Sequence, residues 1–122
     1  MKERDLETEA DLQNRLCDLL RHLGYLVYHT HESRSSEPGF LDIIALGRKG
    51  GPAEGSLIAI ECKKGQAKLR PATVTKQGRW LPGQQDWLDA FEAVHQAEAM
   101  VVRTTDDWDG IVAKLAMVEV LR

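Results

Sequence analysis

The sequence predicts a mixed α/β domain in which helices and strands follow the order α-β-β-β-α-β-α. Three observations carry that prediction. Leucines recur at helical spacing from Leu12 to Leu23. Three short apolar runs then follow at 25–30, 40–46 and 56–63, separated by stretches rich in Gly, Pro and Ser. An amphipathic stretch after Pro82 precedes a further apolar run at 97–104. The chain has 122 residues, which suits one domain around one hydrophobic core.

The elements can be justified in order. Leu12, Leu16, Leu19, Leu20 and Leu23 form one helix, and Gly24 ends it. "YLVYHT" (25–30) is β-rich and reads as the first strand. "HESRSSEPG" (31–39) is a polar loop. "FLDIIAL" (40–46) and "SLIAIECK" (56–63) read as an antiparallel hairpin, joined by the glycine-rich "GRKGGPAEG" (47–55). Residues 64–80 show no period, and so long a loop is expected to be functional, poorly ordered without a ligand. A helix is expected from Gly83 to Gln96, then a strand over 97–104. A short helix over 106–116, capped by Thr105 or Asp106, and a final edge strand at "MVEVL" (117–121) complete the reading.

Composition narrows the class. Hydrophobic residues make up 43% and charged residues 29%, as in a folded soluble protein. No apolar run approaches the ~20 residues that span a bilayer. The polar, acidic start lacks the apolar stretch of a signal peptide, so a cytoplasmic location is expected, in a bacterial or phage-infected cell. Cys17 and Cys62 have no CxxC spacing and read as buried thiols. The net charge of −3 argues against binding nucleic acid by overall charge alone. Its distribution is uneven: from Lys63 to Arg79 the chain carries Lys63, Lys64, Lys68, Arg70, Lys76 and Arg79, and no acid.

Several polar residues fall on faces that should be apolar. Glu9, Gln13, Leu16 and Leu20 share one helix face, so Glu9 points toward the sheet unless a frayed first turn lets it reach water. Gln84, Trp87, Leu88, Phe91 and His95 form the buried stripe of the second helix, which selects Gln84 over its neighbour Gln85. In the third strand, Leu57, Ala59, Glu61 and Lys63 share one face; Ile58, Ile60 and Cys62 share the other. Asp42 interrupts the second strand in the same way. An ion pair with Lys63 would satisfy one acid and leave the second uncompensated. A divalent cation would compensate it, and hard oxygen ligands suit Mg²⁺ or Mn²⁺.

An acid in the second strand followed by Glu61-Cys62-Lys63 resembles the PD-(D/E)xK nuclease superfamily. E-x-K alone recurs widely. The words "TEADLQ" (8–13), "YHTHESRSSEPGFLD" (28–42), "IECKKG" (60–65), "GQQDWL" (83–88) and "DDWDGI" (106–111) together resemble the VRR-NUC domain, a virus-type replication-repair nuclease, over nearly the whole chain. The resemblance implies a restriction-endonuclease-like α-β-β-β-α-β core with a mixed central sheet. It implies metal-dependent hydrolysis of DNA phosphodiesters, selective for replication, repair or recombination structures. Asp42 and Glu61 would be metal-binding carboxylates, with the Cys62 carbonyl as a further ligand. Lys63 would be the catalytic lysine. Glu9 would reach into the site from the first helix, as a further possible ligand, and Gln84 from the second.

The chain departs from the family in two places: Leu41 stands where proline usually precedes the aspartate, and residues 66–80 exceed the usual connection. Around the site, His29, His31, Arg34, Ser35 and Ser36, and the basic run Lys64, Lys68, Arg70, Lys76 and Arg79, are candidates for phosphate contacts. Trp80, Trp87 and Trp108 are candidates for base stacking, although Trp87 sits on an apolar face that favours core packing. Family analogy adds a homodimer, with two sites for two strands. Two other classes stay open: a nuclease fold that binds DNA without turnover, and an α/β protein whose charges are structural ion pairs.

Overall fold

The computed structural model describes residues 7–30 and 37–120. Its elements are α1 (Glu9–His22), β1 (Tyr25–His29), β2 (Ile43–Gly47), β3 (Leu57–Lys63), β4 (Thr73–Val74), β5 (Trp80–Leu81), α2 (Gln84–Glu92), β6 (Ala97–Arg103) and α3 (Trp108–Val120). Four strands form one sheet in the order β1-β2-β3-β6; β4 and β5 form a separate two-stranded hairpin. β1 and β2 pair antiparallel, as do β2 and β3, whereas β3 and β6 are parallel. Two parallel strands cannot be joined by a tight turn. The chain between them therefore carries the hairpin and α2.

The apolar periodicity of α1 buries Leu12, Leu16 and Leu20 completely. Each such side chain contributes about 1.5–3 kcal/mol relative to exposure. They pack with Ile58, Ile60 and Cys62 of β3 and with Ile111 and Leu115 of α3. The other face of β3 presents Ala59 to Leu41 and Leu88, with Trp87 and Phe91 of α2 packed alongside. β3 is thus covered on both faces, as the alternation of its sequence predicts. α1 begins at a capping box: Thr8 Oγ1 accepts from Asp11 N–H at 3.0 Å and Asp11 Oδ2 accepts from Thr8 N–H at 3.2 Å.

Several boundaries differ from the sequence reading. β2 starts at Ile43, so Phe40–Asp42 lie ahead of the strand; Asp42 occupies a bend. α2 stops at Glu92, because Gln96 turns the chain in the left-handed region (φ 69°) and Ala97 N–H donates to Val94 C=O. His95 is therefore exposed beyond the helix instead of on its buried stripe. α3 is capped by Asp107, whose Oδ2 accepts from Gly110 N–H at 3.0 Å; Asp106 instead accepts from Arg103 N–H at 2.8 Å. Residues 117–120 continue α3, so the expected final strand there is helix. The stretch expected to be a poorly ordered loop holds the β4–β5 hairpin. Cys17 and Cys62 are buried free thiols, and burial pushes both pKa values up. Among the described residues no helix is long and apolar enough to cross a membrane.

Candidate functional site

β3 is longer than β2 at one end. Ile60 pairs with Ile43, the first residue of β2, so Glu61, Cys62 and Lys63 run past it while still paired with Val101, Val102 and Arg103 of β6. Continuing the antiparallel register by one residue sets Asp42 opposite Glu61, on the same face. The place that β2 vacates is bridged by a side chain: Asp42 Oδ2 accepts from Cys62 N–H at 2.8 Å. The N–H and C=O of an extended residue leave the strand on the same side. The Cys62 carbonyl is thus directed to the Asp42 side.

A cleft of about 310 Å³ opens here, and every side chain lining it is polar or charged. α1 supplies Glu9 and Gln13, the chain after β1 supplies Thr30, and Asp42 precedes β2. β3 supplies Glu61 and Lys63, and Arg70 and Gln84 come from the far side. Glu61, Lys63 and Gln84 are buried, with Glu61 only 2% exposed. Gln84, at the start of α2, ties three parts together. Its Nε2 donates to Glu61 Oε2 at 2.7 Å, its Oε1 accepts from Arg70 N–H at 2.7 Å, and its own N–H donates to Arg70 C=O at 3.0 Å. Gly83 permits this approach: a Cβ there would stand 2.5 Å from Ala72 N and Arg70 O. Gln85, by contrast, is exposed and donates to Asp89, as the helical wheel predicts.

Lys63 Nζ lies 3.6 Å from Glu61 Oε2. Thr104 N–H donates to Lys63 C=O at 2.9 Å, and Thr104 Oγ1 accepts from Gly65 N–H at 2.9 Å, so the end of β3 is clamped to the end of β6. Arg103 Nη1 donates to the carbonyls of Gly65 and Ala67 at 3.1 and 2.6 Å, holding the turn that follows. The Glu61 carboxyl is pushed up to about 8, first by burial and then by the neighbouring Asp42 carboxylate; Lys63 and Arg70 oppose the shift more weakly.

Whether these residues suit a divalent cation can be judged from their open valences. Glu61 Oε1 is buried and receives no donor among the described residues. Asp42 commits Oδ2 to Cys62. A proton or a cation would resolve the charge of this pair, and two carboxylates with a directed carbonyl are hard-oxygen ligands. Such ligands would suit Mg²⁺ or Mn²⁺, ions that keep several waters and need few protein ligands. Among the described residues no group of three His, Cys, Asp or Glu side chains is gathered into a metal cage, so Glu9 lines the cleft without completing one.

The other nominated residues sit as follows. His29 Nε2 lies 2.7 Å from Gln13 Oε1 at the rim. Arg70 lines the cleft, whereas Lys64 and Lys68 are exposed outside it. His31, Arg34, Ser35 and Ser36 lie outside the described residues. Trp87 is half-buried, packed edge-on against Phe40 with its Nε1 donating to Pro38 C=O, and Arg15 stacks over Trp108. Sequence reasoning missed Thr30 and Thr104. Thr30 Oγ1 donates to Leu41 C=O at 3.1 Å and its N–H donates to Asp42 C=O, which holds the aspartate bend. The only available signal was a threonine closing each of two apolar runs. No family model matches the chain, and no curated protein or solved structure matches it.

Proposed function

We propose that the protein is a divalent-metal-dependent nuclease that hydrolyses DNA phosphodiesters, with the restriction-endonuclease-like topology and VRR-NUC kinship that its motifs suggest. One observation carries the reading. Two carboxylates, the buried Glu61 and the half-buried Asp42, stand beside a single buried ammonium, Lys63, at the open end of β3. This arrangement is costly as architecture, because desolvation offsets the Coulomb gain and one acid stays uncompensated. It is useful as chemistry.

Asp42, Glu61 and the Cys62 carbonyl would hold the cation, which would polarise the scissile phosphate and ease ionisation of the attacking water. Gln84 fixes Glu61 through Oε2 and leaves Oε1 for that role. Lys63, two residues along the same face, orients the water and stabilises charge developing on the phosphate. Arg70, at the cleft wall, contacts a flanking phosphate, with Lys64 and Lys68 further out. Glu9, reaching the cleft from α1, orients solvent around the site. A homodimer would present two such clefts to two strands, which suits selectivity for branched intermediates.

The test is a cleavage panel of single-stranded, duplex, flap and four-way-junction DNA with Mg²⁺, Mn²⁺ or chelator. Cation-dependent cutting of any of them, lost in Glu61→Gln, is the expected result. Binding without cutting under every condition would leave a DNA-binding protein on a nuclease fold; neither binding nor cutting would leave structural ion pairs.

A further inference from the structure

The β4–β5 hairpin does no work in the cleft, yet it is a built structure. Thr75 N–H donates to Arg79 C=O and Gly78 N–H donates to Thr75 C=O, both at 2.9 Å, and Thr75 Oγ1 accepts from Arg79 N–H at 3.0 Å. Gly78 adopts φ +82°, the left-handed residue that closes a three-residue hairpin loop. The tip is thus held in one shape by its own bonds. A two-stranded hairpin alone is marginal in water, so such a tip is useful only if it presents something.

It presents an apolar pair on a cationic stalk. Val74 and Trp80 are cross-strand partners, 67% and 57% exposed. Among the described residues no ring or cation stacks on Trp80, whereas Trp87 packs against Phe40 and Trp108 beneath Arg15. No acid occurs between Glu61 and Asp86, and Lys76 and Arg79 flank the pair. Both ends of the hairpin are rooted at the cleft. Thr73 follows Arg70 by three residues, and Trp80 precedes Gln84 by four. Four extended residues span at most ~14 Å, so Trp80 lies within about that distance of the cleft wall. At the 3.4 Å per nucleotide of a stacked strand, that is at most about four nucleotides.

We infer that the Thr73–Leu81 hairpin is a base-stacking finger. Trp80, supported by Val74, stacks on an unpaired base within about four nucleotides of the phosphate in the cleft, while Lys76 and Arg79 contact the strand's backbone. A base inside an intact duplex offers no free face, so the finger favours DNA with a single-stranded arm beside the cut. The inference rests on the proposed nuclease reading and adds a specificity element outside its chemistry.

The test uses the full chain carrying Lys63→Ala to suppress turnover. Binding is read by fluorescence anisotropy on a blunt duplex and on the same duplex with a short single-stranded arm. Trp80→Ala should weaken binding to the armed duplex about tenfold or more, the size of one base–aromatic stack, and leave the blunt duplex within about twofold. Trp80→Phe should restore most of the loss. A fluorescent purine analogue placed along the arm should be quenched most within about four nucleotides of the cut, and only when Trp80 is present. Unchanged Mn²⁺ affinity in Trp80→Ala shows that the cleft is intact. Equal losses on both DNAs, or none on the armed one, overturn the finger alone. If the parent protein binds neither DNA, the nuclease reading falls and the finger falls with it.

Discussion

The two halves of β3 are built from one strand and are almost equally buried, yet they differ in every other respect. Leu57–Ile60 is apolar, paired on both sides, and sealed between α1 and α2. Glu61–Lys63 carries two charges, has lost β2 as a neighbour, and borders a polar cleft. The first half stabilises the fold by removing apolar surface from water. The second spends part of that stability on a carboxylate pair whose charge is unresolved. The comparison teaches that the site arises from strand length. Where β2 ends before β3 does, backbone and side chains become available that the sheet would otherwise consume.

The comparison is sharpest when the two halves are broken separately. Asp42→Asn or Glu61→Gln should lower cleavage by at least ~10³-fold, because a bound cation contributes several kcal/mol to the transition state. Isothermal calorimetry should show Mn²⁺ binding lost, while the urea midpoint of Glu61→Gln stays level or rises, since Gln resembles the protonated acid that burial favours. Retained Mn²⁺ affinity in the double variant would refute the ligand assignment.

Ile60→Ala should do the reverse. It removes a fully buried side chain one residue from Glu61 and should cost about 2–5 kcal/mol of stability in urea unfolding. The fraction that remains folded should bind Mn²⁺ as the parent does. A comparable loss of metal affinity would mean that the halves are not separable.

Lys63→Ala should reduce cleavage about 10²- to 10³-fold, the usual cost of one charge-stabilising donor, and leave Mn²⁺ affinity nearly intact. Parallel losses of DNA binding and cutting would make Lys63 a phosphate anchor instead.

The most gradual effect is with pH. Glu61 is raised to about 8 from 4.5, so it favours folding fully below pH 4.5, and that contribution is lost as pH rises through about 8. A cation needs the ionised form. Mn²⁺ affinity should therefore rise up to about tenfold per pH unit and level off above pH 8, with about one proton released on binding. Calorimetry in buffers of different ionisation enthalpy reads that proton directly. Thermal melts should show metal-free protein losing stability between pH 4.5 and 8, with Glu61→Gln flattening the loss. A pH-independent Mn²⁺ affinity below 8 would contradict the coupling.

Much of this molecule could be read before folding it. The leucine spacing of α1, the alternation of β3 and the choice of Gln84 over Gln85 are periodicities, and periodicity depends only on the geometry of each element. The same rule placed Glu61 and Lys63 on one face. Other features depended on neighbours. Met117–Val120 alternates two β-branched valines with other residues and reads as strand, but it continues α3 at no cost of finding a sheet edge. α2 stops at Glu92 and the chain turns at a left-handed Gln96, positions that no glycine marks. The β4 and β5 strands have two residues each, too few to show alternation, and are defined by pairing with each other. The carboxylate pair belongs to both accounts. Sequence by itself determined that Asp42 and Glu61 interrupt apolar runs; only the tertiary structure decided that they meet, because register between distant segments is set by cross-strand hydrogen bonds and packing that no local pattern encodes.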